Sequence, residues 1–441
     1  MAISTKTFYD FEELKSHLKT HKKTFYHSSQ TSTVIPYDRL ASIFGEEEVV
    51  VADLSKLPSS MELTPENNLI IGGAVSWQDA KGFLTSRGRN LMTSPTEQLA
   101  LITAGVATSC TGERCFSFGT MRSQVKRLKY LDFNGEEKEL NVSEAFPYST
   151  AHLPQYQQAF KKYDTLKNAP FPRMQTATDL MIGTEGQLGV VTEVELTTVE
   201  NFDINFVFIL LPRWEENITP HLEIHHKVQN LRNKLVSVEL LDSNCMNYLK
   251  DDEKLGTNQD VIFLEIKSEY FEDVYENFLS TLEHTTIDQV FEISESKFHH
   301  IRAGVPRAIF EVNSSMGVVK KGTDVQVHSE NFEKLLSFYR HAKDLGIRYC
   351  LFGHFGDAHL HFNYMPDKAS AHKCDEVFVE LYDKVLEWQG SPFAEHGIGM
   401  LKQPYIKKFY SADVLETFKE IKELADPHQQ FFPLGFMNAK L

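Results

Sequence analysis

The sequence lacks several features that mark whole classes of protein. It has five cysteines among 441 residues, and none of them form a Cys-x-x-Cys pair, so no disulfide framework or zinc ribbon is predicted. Acidic residues outnumber basic residues, 61 to 45, which gives a net charge of −16. Proteins that neutralise nucleic-acid phosphates usually carry a basic excess or a basic patch, and no long basic run occurs here. Nucleic acid is therefore not an expected partner.

Long apolar segments are also missing from the sequence. No run of about eighteen apolar residues occurs, so no membrane span is predicted, while peripheral membrane contact stays open. The first residues, Met1-Ala-Ile-Ser-Thr-Lys6, lack the apolar region of a secretory signal. Scattered cysteines are typical of a reducing compartment. Together these features predict a cytoplasmic protein.

The patterning of apolar residues predicts the fold class. No Gly-x-Gly-x-x-Gly segment stands between a strand and a helix, which disfavours a nicotinamide-binding Rossmann domain. No internal repeat is present. Short helices and strands alternate up to about residue 200, and strands of antiparallel type with intervening helices follow. The sequence therefore predicts an α+β protein, long enough for two or three domains.

One short stretch concentrates polar side chains of the kind that bind metals. Phe352–Asn363 contains His354, His359 and His361, between a predicted buried strand and a second predicted strand. The turn signal Gly356-Asp357 would bring the two strands together. Histidines in such a stretch are often structural, but a second Glu-His pair stands at Glu395-His396. Imidazole and carboxylate together suit a divalent metal.

Two further segments are rich in small residues. Thr103–Arg122 has no helical or strand period, and three glycines of Asp179–Val190 lead into a predicted strand. Small residues let backbone N–H groups approach a ligand closely, and serine and threonine add hydrogen-bond donors. These segments are ordinary loops or a binding surface for a large polar ligand.

These motifs resemble those of the FAD-linked oxidases of the vanillyl-alcohol oxidase type. Asp179–Glu193 resembles their Gly-Ser-Glu-Gly-Thr-Leu-Gly-Val-Ile-Thr-Glu segment, and Ala107–Gly119 resembles their flavin loop, Ala-Thr-Asn-x-x-Gly-x-Arg…Tyr-Gly. Gly353–Asn363 resembles Gly-His-x-Gly-Asp-Gly-Asn-x-His-x-Asn, and Glu395–Lys402 resembles the last motif of the family. The motifs stand in the family's order and look most like those of the D-lactate, glycolate and D-2-hydroxyglutarate dehydrogenases.

The resemblance implies a fold of three parts. Residues 1–200 would form a two-lobed FAD-binding domain of the PCMH type. Residues 201–390 would form an α+β cap domain with an antiparallel sheet, which binds the substrate. Residues 391–441 would return to the flavin.

The resemblance also implies an activity, which is FAD-dependent oxidation of a small 2-hydroxy acid by hydride transfer to flavin N5. A divalent metal, Zn²⁺ or Mn²⁺, would be held by His354, His361 and Glu395. His396 would remove the hydroxyl proton. Arg302 would pair with the substrate carboxylate, assisted by Lys321 or Lys320. The resemblance does not distinguish between a quinone, a cytochrome and an electron-transfer flavoprotein as the electron acceptor.

The same resemblance implies a set of FAD-binding residues and a non-covalent flavin. These residues are Ser28, Ser29, Gln30, Thr31, Ser32, Thr108, Ser109, Gly112, Arg114, Gly119, Gly186, Gly189, Val190 and Val191.

The sequence departs from the family pattern in the first flavin loop. The family's Arg-Gly-x-Gly-Thr-Ser corresponds to His27–Ser32, which keeps Thr-Ser but has no glycine. Ala358 and His359 replace a glycine and an asparagine. Two alternatives therefore stay open. One is an enzyme like the alkylglycerone-phosphate synthases, which use FAD without net redox chemistry. The other is a flavin-poor relative that serves as a binding or regulatory protein.

Overall fold

The computed structural model describes residues 3–45, 47–168, 172–256, 258–318 and 321–438. The chain divides into two units. The first unit consists of residues 1–111, 119–201 and 395–441, and the second consists of residues 112–118 and 202–394. The chain thus leaves the first unit briefly at 112–118 and returns to it for the C-terminal segment. Domain boundaries at 200 and 390 stay predictions.

The strands, in chain order, are β1 Ile3–Thr7, β2 Thr24–His27, β3 Val49–Asp53, β4 Ser60–Leu63, β5 Leu69–Gly72, β6 Arg89–Leu91, β7 Val125–Leu131, β8 Glu137–Asn141, β9 Val190–Leu196, β10 Thr198–Glu200, β11 Ile204–Leu211, β12 Leu235–Leu241, β13 Asp260–Lys267, β14 Val290–Glu292, β15 Lys321–Gly322, β16 Val325–Gln326, β17 Tyr349–His354 and β18 His359–Tyr364.

The α-helices, in chain order, are α1 Phe11–Leu18, α2 Leu40–Phe44, α3 Trp77–Thr85, α4 Ile102–Ala107, α5 Cys115–Phe118, α6 Met121–Gln124, α7 Leu153–Phe160, α8 Thr219–Val228, α9 Phe271–Asn277, α10 Glu295–Ser315, α11 Phe332–Ala342, α12 Ala371–Glu387, α13 Ile406–Phe409 and α14 Ala412–Ala425.

The first unit contains two main sheets, as expected for two lobes. One is parallel, with the order β1-β3-β2, and the other is antiparallel, with the order β4-β5-β9-β7-β8. The C-terminal segment is part of the smaller lobe, because the Thr24 N–H donates to the Gln430 carbonyl at 2.7 Å and the Phe432 N–H donates to the Thr24 carbonyl at 2.9 Å. Burial of Phe431 and Phe432 among the apolar residues of these strands fixes that segment in place.

The second unit is built on one antiparallel sheet with the order β14-β11-β13-β12-β17-β18-β15, and β16 also pairs with β18. The apolar face of α10 packs on this sheet through Phe298, Ile301 and Val305. Helix α10 is 21 residues long, and Pro306 lies inside it. The apolar repeat keeps the helix on the sheet although proline removes one backbone hydrogen bond.

The segment Thr103–Arg122 was expected to lack regular structure, and this expectation is wrong. It contains most of α4, all of α5 and the start of α6. Helix α4 is short and lies close to Trp77, so that a Cβ on Gly105 would approach the Trp77 ring to 3.5 Å. Two turns of helix made of small residues show no visible apolar period.

Candidate active site

Three histidines of the second unit converge at the edge of its sheet. One ring nitrogen each from His354, His359 and His361 lies within 4.8 Å of the others. All three side chains are buried. The ring centroids of His359 and His361 are 4.6 Å apart, and those of His354 and His361 are 6.0 Å apart. Buried imidazoles at this spacing could hold a divalent metal.

The β17–β18 hairpin produces this convergence. The two strands pair so that His354 lies opposite His359 and Phe352 lies opposite His361. Residues opposite each other in an antiparallel pair project to the same face, so a two-residue step adds His361 beside His359. The predicted fold-back of the chain at Gly356-Asp357 is therefore confirmed.

Helix α8 and the residues that follow it hold the turn of this hairpin. His225 Nδ1 donates to the first carbonyl of the turn Phe355–Asp357 at 3.1 Å, and Gln229 Nε2 donates to the second at 2.8 Å. Arg232 lies 3.3 Å from the carboxylate of the third turn residue. Burial lowers the pKa of His225 to about 4, so the neutral ring donates from Nδ1 and accepts the hydrogen bond of Ser329 at Nε2.

Each histidine of the cluster has a polar partner behind it. His354 Nδ1 donates to Glu239 at 2.7 Å, and His361 Nδ1 donates to the Thr323 carbonyl at 3.0 Å. His359 Nε2 lies 3.2 Å from the Asp324 carboxylate. Such partners fix the tautomer and the orientation of metal-binding histidines. For His354 and His361 they select Nε2 as the atom that would bind a metal.

Arg302 lies between two carboxylates of the second unit. Its Nη1 atom donates to Glu113 at 2.6 Å, and its Nη2 atom donates to Glu239 at 2.7 Å. Because Glu239 also accepts from His354, a continuous chain of charged contacts joins Glu113 to the histidine cluster. Arg302 is thus close to the cluster, and part of its guanidinium is already engaged by protein carboxylates.

The charges in this chain of contacts stabilise one another. Burial alone would raise the pKa of Glu113, but Arg302 and Arg114 outweigh burial and hold that pKa below its usual range. Burial alone would lower the pKa of Arg302, but Glu113 and Glu239 outweigh it and raise that pKa. Glu113 and Arg302 are therefore both charged at neutral pH.

Arg114 and Gly112 were expected to bind the flavin, and both belong to the second unit. Arg114 makes two hydrogen bonds to Glu265, at 2.9 and 3.2 Å, and Glu265 also accepts the hydroxyl of Ser237 at 2.8 Å. The Gly112 N–H lies 3.4 Å from the Cys115 sulfur. The loop is thus fixed on this unit by a buried ion pair.

Lys321 was expected to assist substrate binding. It stands on β15 and donates to Asp375 at 2.6 Å. Lys320 lies outside the described residues. Lys321 is thus held by helix α12, and a role in substrate binding stays a prediction.

Glu395 and His396 begin the last segment of the first unit, directly after the second unit ends at Ala394. The Ala394 N–H donates to the Asp324 carbonyl at 3.0 Å, and Asp324 is the residue whose side chain contacts His359. Glu395 thus follows directly on Ala394, and the roles of Glu395 and His396 stay predictions.

The first unit brings the two predicted flavin segments together. The Gly183 N–H donates to the Val106 carbonyl at 3.3 Å, and the Glu185 N–H donates to the Ala107 carbonyl at 2.7 Å. Ser109 and Glu185 both have positive φ, of 49° and 56°. Non-glycine residues in this conformation are strained and cluster at functional sites.

Glu185 also holds the C-terminal motif within the first unit. Its carboxylate accepts the Ile398 N–H at 2.6 Å and the Gly399 N–H at 3.0 Å. A Cβ on Gly399 would approach the Val34 carbonyl to 2.5 Å, so only glycine allows this contact with Val34, which lies two residues after the first loop. The segment that carries Glu395 and His396 is therefore joined to the predicted flavin segment Asp179–Val190 and to the chain just after the first loop.

The altered first loop, Ser28–Ser32, has a defined conformation. Ser29 donates to the Leu99 carbonyl at 2.9 Å, and Gln30 has φ of 55°, a conformation usually taken by glycine. His27 Nδ1 donates to the Ser28 carbonyl at 3.0 Å. The loop thus makes its turn without the glycines of the family pattern.

The remaining predicted flavin residues also lie in the first unit. Thr108 ends α4, and Gly119 has φ of 77° and accepts the Thr93 hydroxyl at 2.7 Å. Gly186 has φ of 70°, Gly189 would clash with Tyr130 if it carried a Cβ, and Val190 and Val191 begin β9. Thr111 has a buried hydroxyl with no hydrogen-bond partner among the described residues. A polar ligand such as FAD would give this hydroxyl a partner.

Sequence reasoning missed Glu239, Asp324 and Glu113. A signal for Glu239 exists, because it is the only charged residue in the apolar strand Leu235–Leu241. A lone acid in a buried strand needs a partner, which predicts a polar site. Glu113 stands at a variable position between the glycine and the arginine of the flavin loop, and no pattern in the sequence identified it.

Among the described residues, no helix combines the length and the apolar character needed to cross a membrane.

Comparisons with known proteins give a family match for one part of the chain and several relatives. Residues 222–434 match the family of FAD linked oxidases, C-terminal domain. The chain is 23% identical over 272 residues to glycolate oxidase subunit GlcD of Bacillus subtilis (strain 168), which covers 60% of this chain and 57% of that protein. It is 27% identical over 274 residues to a probable mitochondrial D-2-hydroxyglutarate dehydrogenase of Oryza sativa subsp. indica, which covers 58% and 47%.

The fold has a solved counterpart. An alkyldihydroxyacetonephosphate synthase superposes with a TM-score of 0.63 at 12% identity, covering 97% of this chain and 75% of that chain. At this identity the likeness shows the fold alone, and it confirms the predicted fold class. Residues 222–434 are thus similar to the C-terminal domain of the FAD-linked oxidases. The chain spans about half the length of each of the two curated relatives named above.

Proposed function

We propose that the chain is an FAD-dependent oxidoreductase that oxidises a small 2-hydroxy acid of the D-lactate, glycolate or D-2-hydroxyglutarate class. The observation that carries the proposal is the buried cluster of His354, His359 and His361, each with a polar partner, on the domain that matches the FAD-linked oxidases. Glycolate and D-2-hydroxyglutarate, which appear in the names of the relatives, support the substrate class.

A divalent metal, Zn²⁺ or Mn²⁺, is part of the proposal. The residues fit it, because the donors are buried imidazoles supported by a carboxylate and a carbonyl. His354 and His361 would hold the metal through Nε2, and Glu395 would complete the protein ligands. When bound, the metal lowers the pKa of the substrate hydroxyl, and FAD accepts the two electrons of the alcohol.

The chain's own residues then have separate roles. His396 would take the hydroxyl proton, since a neutral imidazole is a suitable base near pH 7. Arg302 would donate to the substrate carboxylate, and Lys321 would add positive charge. Glu239 would orient both Arg302 and His354. The adjacent segments around Ser109 and Gly186, with the loop Ser28–Ser32, would hold FAD.

Anaerobic reduction of the flavin tests this function. The purified protein should be yellow, and a panel of D-lactate, glycolate and D-2-hydroxyglutarate should include one acid that bleaches the flavin spectrum. A yellow protein that no 2-hydroxy acid bleaches would favour the chemistry without net redox. A colourless protein would favour the binding or regulatory alternative.

Metal removal tests the role of the histidine cluster. Chelation should abolish turnover and preserve the flavin spectrum. The substitution His361→Ala should remove metal and turnover together, whereas His396→Ala should keep the metal and reduce turnover about 10²–10⁴-fold. Active protein with far less than one equivalent of metal would contradict this mechanism.

A further inference from the structure

Glu113 forms an ion pair with Arg302, the arginine that the proposed function assigns to the substrate carboxylate. Its carboxylate is 2.6 Å from Arg302 Nη1, and the Glu239 carboxylate is 2.7 Å from Arg302 Nη2. Arginine has five N–H donors, so donors remain for one further carboxylate. The two protein carboxylates nevertheless offset more than the single positive charge of Arg302.

Carboxylates also outnumber guanidiniums in the wider set of charged groups around Arg302. Two guanidiniums, of Arg302 and Arg114, face three carboxylates, of Glu113, Glu239 and Glu265. The carboxylates are thus in excess by one. A ligand that brings one carboxylate can use the remaining donors of Arg302, but a second carboxylate directed at Arg302 would lie beside Glu113, and the repulsion between two carboxylates is strong in a poorly hydrated environment.

Glu113 is the member of this set that a ligand can influence most. Its side chain is 16% exposed, whereas those of Glu239 and Glu265 are 2% and 0% exposed. Glu239 and Glu265 each have a second partner, in His354 and Ser237. Glu113 also stands at the variable position of the flavin-loop pattern, Gly-x-Arg, which does not specify a carboxylate there.

We propose that Glu113 is a specificity-determining residue, which engages Arg302 and makes the site select 2-hydroxy monocarboxylates over 2-hydroxy dicarboxylates. This inference rests on the proposed function. It attributes the selectivity for D-lactate or glycolate over D-2-hydroxyglutarate to one side chain. An uncharged residue at this position makes Arg302 available to a second carboxylate.

Steady-state kinetics with the full-length, flavin-loaded protein test the selectivity. The wild type should have a higher kcat/KM for D-lactate than for D-2-hydroxyglutarate. Glu113→Gln should shift the ratio toward D-2-hydroxyglutarate about tenfold, mainly through KM. Asp273→Asn removes one carboxylate from an exposed ion pair with Lys234 in the same unit and should change the ratio less than twofold. A wild type that prefers D-2-hydroxyglutarate, or an unchanged ratio in Glu113→Gln, overturns the inference.

A binding measurement separates this inference from the proposed function. Butyrate and glutarate carry one and two carboxylates and no hydroxyl to oxidise, and their affinities can be measured by protection against thermal unfolding. Glu113→Gln should bind glutarate about tenfold more tightly relative to butyrate than the wild type does. If no 2-hydroxy acid reduces the flavin, the proposed function fails, while this ratio still decides the role of Glu113.

Folding of the variant is controlled by a second substitution. Glu113→Leu is also neutral and should shift the ratio in the same direction if Glu113→Gln does not fold. If Glu113 only stabilised the fold, both variants would lower the melting temperature and weaken both anions equally, which would contradict the inference.

Discussion

At the scale of single residues, Glu239 joins two proposed roles. One carboxylate oxygen accepts from His354, and the other accepts from Arg302. Glu239→Gln should keep the shape of the side chain and weaken metal binding about 10–100-fold, because a carboxylate behind a histidine ligand raises its basicity. Competition with a metal indicator measures this affinity.

The matched control for that prediction is Glu265→Gln. Glu265 is equally buried and pairs with Arg114, which has no described contact with the histidine cluster. This variant should lose stability and keep its metal affinity. Equal losses of metal in both variants would mean that Glu239 acts only through folding.

Asp242 is a buried acid that makes stability depend on pH. Burial raises the pKa of its carboxyl to about 7, and Asp260 adds to the rise. The folded chain therefore keeps a proton that the unfolded chain loses near pH 4. The stability that this proton contributes is complete below about pH 4 and is lost as the pH rises to about 7, by on the order of 4 kcal/mol at most.

Asp242→Asn should flatten this dependence. Urea unfolding at several pH values between 4 and 8 measures the free energy of unfolding in both proteins. The same substitution at Asp251, whose side chain is 97% exposed, should leave most of the wild-type slope in place. A slope that survives in Asp242→Asn would assign the pH dependence to another group.

At the scale of elements, the β17–β18 hairpin positions the cluster, and Gly353 makes its geometry possible. Gly353 has φ of 133°, and a Cβ there would lie 3.0 Å from both the His359 carbonyl and the His361 ring. Gly353→Ala should therefore cost about 1–3 kcal/mol of stability and displace His361. Metal content and the melting temperature should both fall.

Gly304 gives the control for that substitution. It lies inside helix α10, and a Cβ there would have Leu249 at 3.7 Å as its nearest neighbour. Gly304→Ala should raise stability by about 0.5–1 kcal/mol, because alanine loses less conformational freedom in a helix, and metal content should not change. A Gly353→Ala protein with full metal content would show that the hairpin tolerates the extra methyl group.

At the scale of the whole molecule, the flavin should be held without a covalent bond. His27 Nδ1 is engaged by the Ser28 carbonyl, and the predicted flavin segments offer backbone amides and hydroxyls. Acid precipitation should therefore release the flavin into the supernatant. Colour that stays with the precipitate would indicate a covalent link, and His27→Ala would then show whether His27 carries it.

The amino-acid sequence by itself determined the local features. A buried apolar run and an alternating run on either side of Gly356-Asp357 indicated two strands, which are β17 and β18, because side chains of a strand point alternately to two faces. The order of glycine-rich and histidine-rich segments indicated the FAD-linked oxidases, which the match over residues 222–434 supports. The proposed metal ligands came from the same segments.

Only the tertiary structure decided which partners those residues have. Glu239 is 115 positions from His354, and Glu113 is 189 positions from Arg302, so no local period could join them. Helix α4 was missed because two turns of small residues show no apolar repeat. Charged contacts between distant segments depend on how the strands are ordered in the sheet. That order follows from packing of the whole unit, and local sequence patterns do not specify it.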